Sequence, residues 1–439
     1  PQDFLGNDYN AEEYEQVFDI VDVWFESGST HEFVLQDTKR WPAYEGVDQA
    51  DLYLEGSDQH RGWFHSSLLE SCGTKGKAPY KAVLTHGFVL DEKGYKMSKS
   101  MGNVVDPLKV MEQSGADILR LWTLNSDYSE DIRIGKDSIK YTGDIYRRIR
   151  NTLRFLLGAL DGFTKEEAVF SHSDRPQGAE ESSNTGMRSL DYARDDDVKK
   201  LPELEQLMLH QLTEMDKKVQ DCIENYQFQK LTRELHDFCN ENLSAFYFDI
   251  RKDRLYCDDP NSFERRATRS VMAEIFSCLT AWFAPILCFT AEEAWSHRPQ
   301  GVFEDVDSVH LRDFPSVPES WHNPALAGKW FAIRELRKKV QEAIEPMRAS
   351  KELGSSLEAM PVLSLDKDMM QAVEGRDMAD ICITSQVKIK EGAPSIIIEK
   401  AQGSKCERCW KVLPEVADNG ELCNRCADVE PVKKLQKAA

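Results

Sequence analysis

The sequence predicts several domains in series: an α/β unit, a helical bundle, a small α+β piece and a cysteine-rich end. Three observations predict it. Short apolar runs alternate with a helix-like stretch over residues 1–130. Apolar residues recur every three or four positions over residues 203–290. Two Cys-x2-Cys pairs close the chain, Cys406 with Cys409 and Cys423 with Cys426. At 439 residues the chain is also too long for one ordinary core.

In the first region, Ala82-Val83-Leu84 and Phe88-Val89-Leu90 read as strands and Leu108 to Leu124 as one helix. Asp106 can cap that helix and Pro107 suits its first position. Strand and helix signals alternating at this spacing predict a mostly parallel sheet. Residues 131–163 hold a connecting basic helix, in which Ile145, Ile149, Leu153, Leu156 and Leu160 share a side and Arg147, Arg148, Arg150 and Arg154 are interleaved. Residues 164–200 turn polar and aperiodic and read as an insertion. Residues 201–320 predict the bundle: Leu204 to Ile223, Leu231 to Phe246 and Val271 to Trp282 each keep helical spacing. Residues 321–400 predict a helix from Leu326 to Ala349, then a small α+β junction with Ser395-Ile396-Ile397-Ile398 as a strand; residues 401–439 hold the cysteine pairs.

The net charge of −21 argues against a sequence-blind nucleic-acid coat, because an acidic surface repels phosphate, but it leaves room for local basic stripes. No apolar run is long enough for a membrane span. Eleven cysteines without a framework spacing suggest free thiols in a reducing compartment, outside the terminal cluster. The chain starts at Pro1 and its opening reads as the middle of something, so a fragment is expected.

The chemistry begins at Lys96-Met97-Ser98-Lys99-Ser100. Gly94 marks a turn before it, and Gly102-Asn103 is expected to loosen the chain after it. Two lysines and two hydroxyls then sit on a loop at the strand ends of an α/β unit, where such folds bind ligands. A lysine is a compact charge suited to phosphate oxygens whose charge grows during transfer. Upstream stand Asp22-Val23-Trp24-Phe25-Glu26-Ser27-Gly28-Ser29, Leu54-Glu55-Gly56-Ser57-Asp58-Gln59-His60-Arg61-Gly62-Trp63-Phe64 and Thr85-His86-Gly87-Phe88. Four motifs in this order over about 80 residues resemble the class I aminoacyl-tRNA synthetases, and among them the bacterial isoleucine-specific family.

The resemblance implies the second half of a class I Rossmann-like nucleotide-binding fold, followed by a helical anticodon-binding bundle. It implies that Trp24 and Trp63 line an isoleucine side-chain pocket and that Glu55 contacts the ribose of the adenylate. Gln59 is expected beside the amino-acid head group, and Asp58 and His60 to serve the adenylate or its scaffold. Lys99 is expected to meet pyrophosphate, assisted by Lys96, with Ser98 and Ser100 in the same ATP-binding loop. The implied partners are ATP with Mg2+, L-isoleucine and tRNA-Ile, in a cytoplasmic monomer with no membrane contact.

The paired Cys-x2-Cys motifs, 13 residues apart, can bring four thiolates into a tetrahedron around one structural zinc. Pro414, Asn419 and Gly420 permit the turns between them, and a similar knuckle ends the isoleucine family. Lys405, Arg408, Trp410 and Arg425 could touch RNA or simply be solvated. Arg251 to Arg254, Arg265, Arg266, Arg269 and Arg334 to Lys339 are candidate phosphate contacts, weighed against ordinary solvated helix faces. No His-Ile-Gly-His stretch occurs, and the family's editing insertion has no counterpart here. The expected function is therefore isoleucine–tRNA ligation, carried by a fragment inactive alone. The alternative is a non-catalytic RNA-binding protein derived from a synthetase. The missing signature favours that alternative; the intact Glu55–Phe64 run and Lys96–Ser100 loop oppose it.

Overall fold

The computed structural model describes residues 5–169, 195–417 and 421–429. Most of the polar insertion, the turn at Asn419 and Gly420, and the last ten residues lie outside the described residues. The chain divides into two compact units, Pro1–Val105 with Ser126–Gly135, and Asp106–Asn125 with Lys136–Ala439.

The first unit is built on a parallel βαβ motif. Helix α1 (Val23–Gly28) starts at Asp22, whose carboxylate accepts the Trp24 N–H at 2.8 Å. Strand β1 (Ala50–Gly56) runs through a short turn into α2 (Trp63–Lys75), which returns to β2 (Tyr80–His86). The strands pair in parallel, Leu52 opposite Ala82 and Gly56 opposite His86. A hydrogen bond of 3.0 Å between the Tyr53 and Ser67 hydroxyls pins α2 to β1. A second parallel pair joins β3 (Val89–Leu90) to β4 (Ile132–Arg133). Strands β2 and β3 fall where the sequence places them, while β1 and β4 carry no strand signal that it picked out. The unit also leaves Val17, Phe18, Ile20, Val21 and Phe25 open to solvent, Ile20 at 95%.

The second unit is mainly helical. The expected single helix after Asp106 is two, α3 (Pro107–Ser114) and α4 (Ala116–Leu124). The break falls at Gly115, whose φ of +88° no α-helix allows and few side chains tolerate. Helix α5 (Lys136–Ala159) buries Ile149, Leu153 and Leu156, as its spacing predicts. Then come α6 (Glu203–Glu224), α7 (Phe228–Asp237), α8 (Asp249–Cys257), α9 (Phe263–Phe283), α10 (Cys288–Ser296) and α11 (Pro324–Ala349). Between α7 and α8 the chain is a π-helix, Phe238–Phe248. Its wider turn buries Leu243, Phe246 and Tyr247, while Asn242, on the apolar series by 3–4 spacing, stays half-exposed.

Buried polar groups tie the bundle together. Asp117 accepts the N–H groups of Phe289 and Thr290 and the Thr290 hydroxyl, at 3.2, 2.7 and 2.6 Å, capping the first turn of α10 from α4. Glu205, fully buried on α6, accepts Arg251 Nε and Nη2 at 2.7 and 2.6 Å and the Thr268 hydroxyl at 2.8 Å. A buried charge needs such pairing to be tolerated. Beyond α11 lies a three-stranded sheet, β5 (Ala359–Leu365) between parallel β6 (Lys388–Glu391) and antiparallel β7 (Ser395–Lys400), with helices α12 (Lys367–Val373) and α13 (Met378–Cys382). No helix among the described residues is long and apolar enough to cross a membrane.

Candidate active-site segment and metal centre

At the C-terminal end of β1, Glu55, Asp58 and His60 are exposed. Glu55 also accepts the Gly56 N–H at 3.1 Å. Gln59 Oε1 accepts the Trp63 N–H at 2.9 Å and so caps the start of α2.

The two tryptophans meet around Gly62. A Cβ there would stand 2.5 Å from Gln59 Oε1 and 3.0 Å from the Trp24 ring, so any larger residue at 62 would displace both. Trp63 stacks face to face on Tyr53, ring centroids 4.2 Å apart and planes within 3°. Its indole N–H is shared between the Ser27 carbonyl at 2.9 Å and the Thr30 hydroxyl at 3.0 Å. The Trp63 indole held this way makes a rigid apolar surface, while Trp24 remains 46% exposed. Nothing in local spacing marks Ser27 and Thr30 as partners of an indole 36 and 33 residues away.

From β3 the chain turns at Gly94 into the lysine loop, whose Lys96 bridges back to Leu90. Lys96 and Lys99 are exposed, with Lys96 Nζ 5.0 Å from the Phe88 ring centroid. The Ser98 and Ser100 hydroxyls lie 3.1 Å apart. Asn103 organises this loop and does not loosen it. Its Oδ1 accepts the Ser98 N–H at 3.0 Å; its amide donates to Asp91 at 2.9 Å and to the Lys96 carbonyl at 3.3 Å. Asp91 also accepts the Lys93 and Tyr95 N–H groups. The hydrogen bond from Asn103, followed by that from Tyr95, holds the Asp91 carboxyl below its ordinary range.

The four terminal cysteines converge, their sulfur atoms all within 4.8 Å of one another and all four residues buried. A hairpin of β8 (Ser404–Lys405) and β9 (Val412–Leu413) carries the first pair, with Trp410 at φ +63° in its turn. The Cys423 N–H donates to Cys406 Sγ at 3.3 Å. Burial opposes ionisation of Cys406, but the N–H groups of Cys423, Cys409 and Arg408 outweigh it and lower the thiol to about 6. Four buried thiols without a disulfide fit a zinc ion with no open position.

Arg408, Lys411 and Arg425 near this cluster have structural employment, while Lys405 stays exposed over the exposed Trp410 ring. Arg425 binds Asp253 at 2.6 and 2.9 Å and Asp258 at 3.1 Å. Arg408 donates to the Cys426 and Tyr256 carbonyls. Lys411 pairs with Asp380 at 3.1 Å. Burial would raise the Asp253 carboxyl, but the Arg425 and Lys411 charges more than reverse it. These bonds fasten the knuckle to α8. Likewise Arg251 and Arg269 are buried in ion pairs, Arg266 donates to the Glu166 and Glu167 carbonyls, and Arg337 to Ile381. They are neither free phosphate contacts nor solvated faces. Lys338, Lys339, Arg148 and Arg154 remain exposed.

Three family models match in this order. Residues 2–135 match the class I tRNA synthetases for I, L, M and V, residues 205–363 the anticodon-binding domain of tRNA ligase, and residues 403–429 the zinc finger found in FPG and IleRS. The βαβ unit with its lysine loop, the bundle and the knuckle are thus those of a class I aminoacyl-tRNA synthetase. The isoleucine–tRNA ligase of Zymomonas mobilis is 49% identical over 432 residues, covering 97% of this chain. That of Gluconobacter oxydans is 50% identical over 98% of it. The chain belongs to the isoleucine–tRNA ligase family. It spans 42% of the length of each of these relatives. A solved LeuRS–tRNA–LeuAMS complex from Agrobacterium radiobacter K84 overlaps 69% of this chain and 33% of its own at TM-score 0.48 and 18% identity.

Proposed function

We propose that this chain is the part of an isoleucine–tRNA ligase that carries the lysine loop, the tRNA-binding helices and the zinc knuckle. The observation behind it is the 46–50% identity to isoleucine–tRNA ligases, which extends over 97–98% of this chain. In the reaction, the isoleucine carboxylate attacks the α-phosphate of ATP, pyrophosphate leaves, and the isoleucyl group then passes to the tRNA terminal ribose. Lys99 and Lys96 neutralise charge on the departing pyrophosphate, with Mg2+ accompanying ATP. Trp24 and Trp63 wall the isoleucine side chain, and Glu55 faces the ribose. Gln59, engaged at the α2 cap, acts by orienting Trp63. Cys406, Cys409, Cys423 and Cys426 hold zinc, which cross-links the knuckle. Cytoplasmic location fits these substrates.

The exposed apolar side chains of residues 17–25 fit burial against the rest of the longer protein. Activation needs groups on both sides of the reacting phosphate, and positioning supplies roughly 7–11 kcal/mol of such a barrier. The test is isoleucine-dependent pyrophosphate exchange. These 439 residues alone should give background exchange, and adding the remaining part of the longer relative, in cis or as a second chain, should restore it. Lys99→Ala in the restored protein should lower kcat by about 10²-fold. Robust exchange by this chain alone, or restoration indifferent to isoleucine, overturns the reading.

A further inference from the structure

Outside the knuckle, one other group of metal-ligating side chains converges among the described residues: His210, Glu214 and His322, whose ligand atoms lie within 4.8 Å of one another. His210 and Glu214 are one turn apart on α6, so both point from the same face. His322 comes from the segment just before α11. We propose that these three residues form a second, exchangeable zinc site, which clamps α6 to the start of α11.

The chemistry of the donors supports it. Two imidazoles and a carboxylate are a set that borderline divalent metals accept. Glu214 Oε1 already lies 2.8 Å from His322 Nε2. The opposite nitrogen, Nδ1, faces Glu319 at 3.7 Å, which is the carboxylate partner that metal-bound histidines usually have behind them. The His210 and His322 rings are 5.1 Å apart. Both His210 and Glu214 line an open cavity of about 470 Å3, which admits the ion and a water to complete its shell. In the same wall Gln211 Oε1 is buried with no hydrogen-bond partner, an acceptor for such a water.

The site has a built-in cost. His210 Nδ1 accepts the Asn323 N–H at 3.0 Å, so the neutral ring carries its proton on Nε2. Coordination through Nε2 moves that proton to Nδ1 and takes the acceptor from Asn323. The three ligand atoms must also draw closer than 4.8 Å, since donors around zinc sit about 2 Å from the ion. Both effects make this site weaker than four thiolates, and its zinc is lost on dialysis against metal-free buffer while the knuckle keeps its own.

The experiment is equilibrium dialysis of the full chain against buffered micromolar free zinc, followed by elemental analysis. The wild type should hold two zinc ions, and His322→Gln and Glu214→Gln one each. Glu214 is partly exposed, so its variant gives a reading even if His322→Gln misfolds. With cobalt, the second equivalent should add weak d–d absorption without the thiolate charge-transfer band of the first. One zinc in the wild type, or two retained in both variants, overturns the proposal.

Discussion

Asn103→Ala is the sharpest probe of the lysine loop. The asparagine makes three hydrogen bonds, to the Ser98 N–H at 3.0 Å, to Asp91 at 2.9 Å and to the Lys96 carbonyl at 3.3 Å. Each contributes about 0.5–1 kcal/mol at a half-exposed site, so their removal costs about 1.5–3 kcal/mol of loop order. If the ordered loop is the form that meets pyrophosphate, its population, and kcat for isoleucine-dependent exchange by the full-length protein, falls roughly 10- to 100-fold. The loop lies on the surface, away from either core, so Tm should move by less than about 2 °C. Asn103→Asp should be at least as damaging, because it places a second carboxylate against Asp91. Exchange within twofold of wild type would refute the organising role. A fall in kcat matched by a large loss of Tm would refute its locality.

Three further outcomes are expected. Cys423→Ser should lower bound zinc by one per chain and open the knuckle to protease while the bundle keeps its helicity, as elemental analysis and limited proteolysis would show. Trp63→Ala in the full-length protein removes the Tyr53 stack and an apolar wall, costing on the order of 3 kcal/mol, and should raise the isoleucine KM strongly; activation unchanged within about twofold would make Trp63 core only. Burial pushes the Glu274 carboxyl up to about 8, with Arg312 opposing, and its Oε1 has no hydrogen-bond partner. Such a group is protonated when folded and ionised when unfolded, so stability falls as pH rises from about 4 towards 8; Glu274→Gln should flatten that decline and raise Tm at pH 8.

The lysine loop, the cysteine pairs and the long helices were legible in the sequence, while strand β1, the break at Gly115 and the π-helix were not. The Lys96–Ser100 loop and each Cys-x2-Cys pair are contiguous, so their donors are legible from spacing, and all four sulfurs converge as that spacing permits. The helices at Lys136–Ala159 and Glu203–Glu224 were legible because helical periodicity is a local property of the chain. Tertiary structure alone decided how the polar side chains are used. Arg425 reads as a free cation until Asp253, 172 residues away, is packed against it, and Arg251 until Glu205 is buried beside it. The π-helix likewise moved the buried series from Asn242 to Leu243, and Asn103, beside a glycine, became the centre of its loop because Asp91 comes within 2.9 Å. A charged or amide side chain has several possible partners in sequence, and only burial, which makes an unpaired one costly, selects among them.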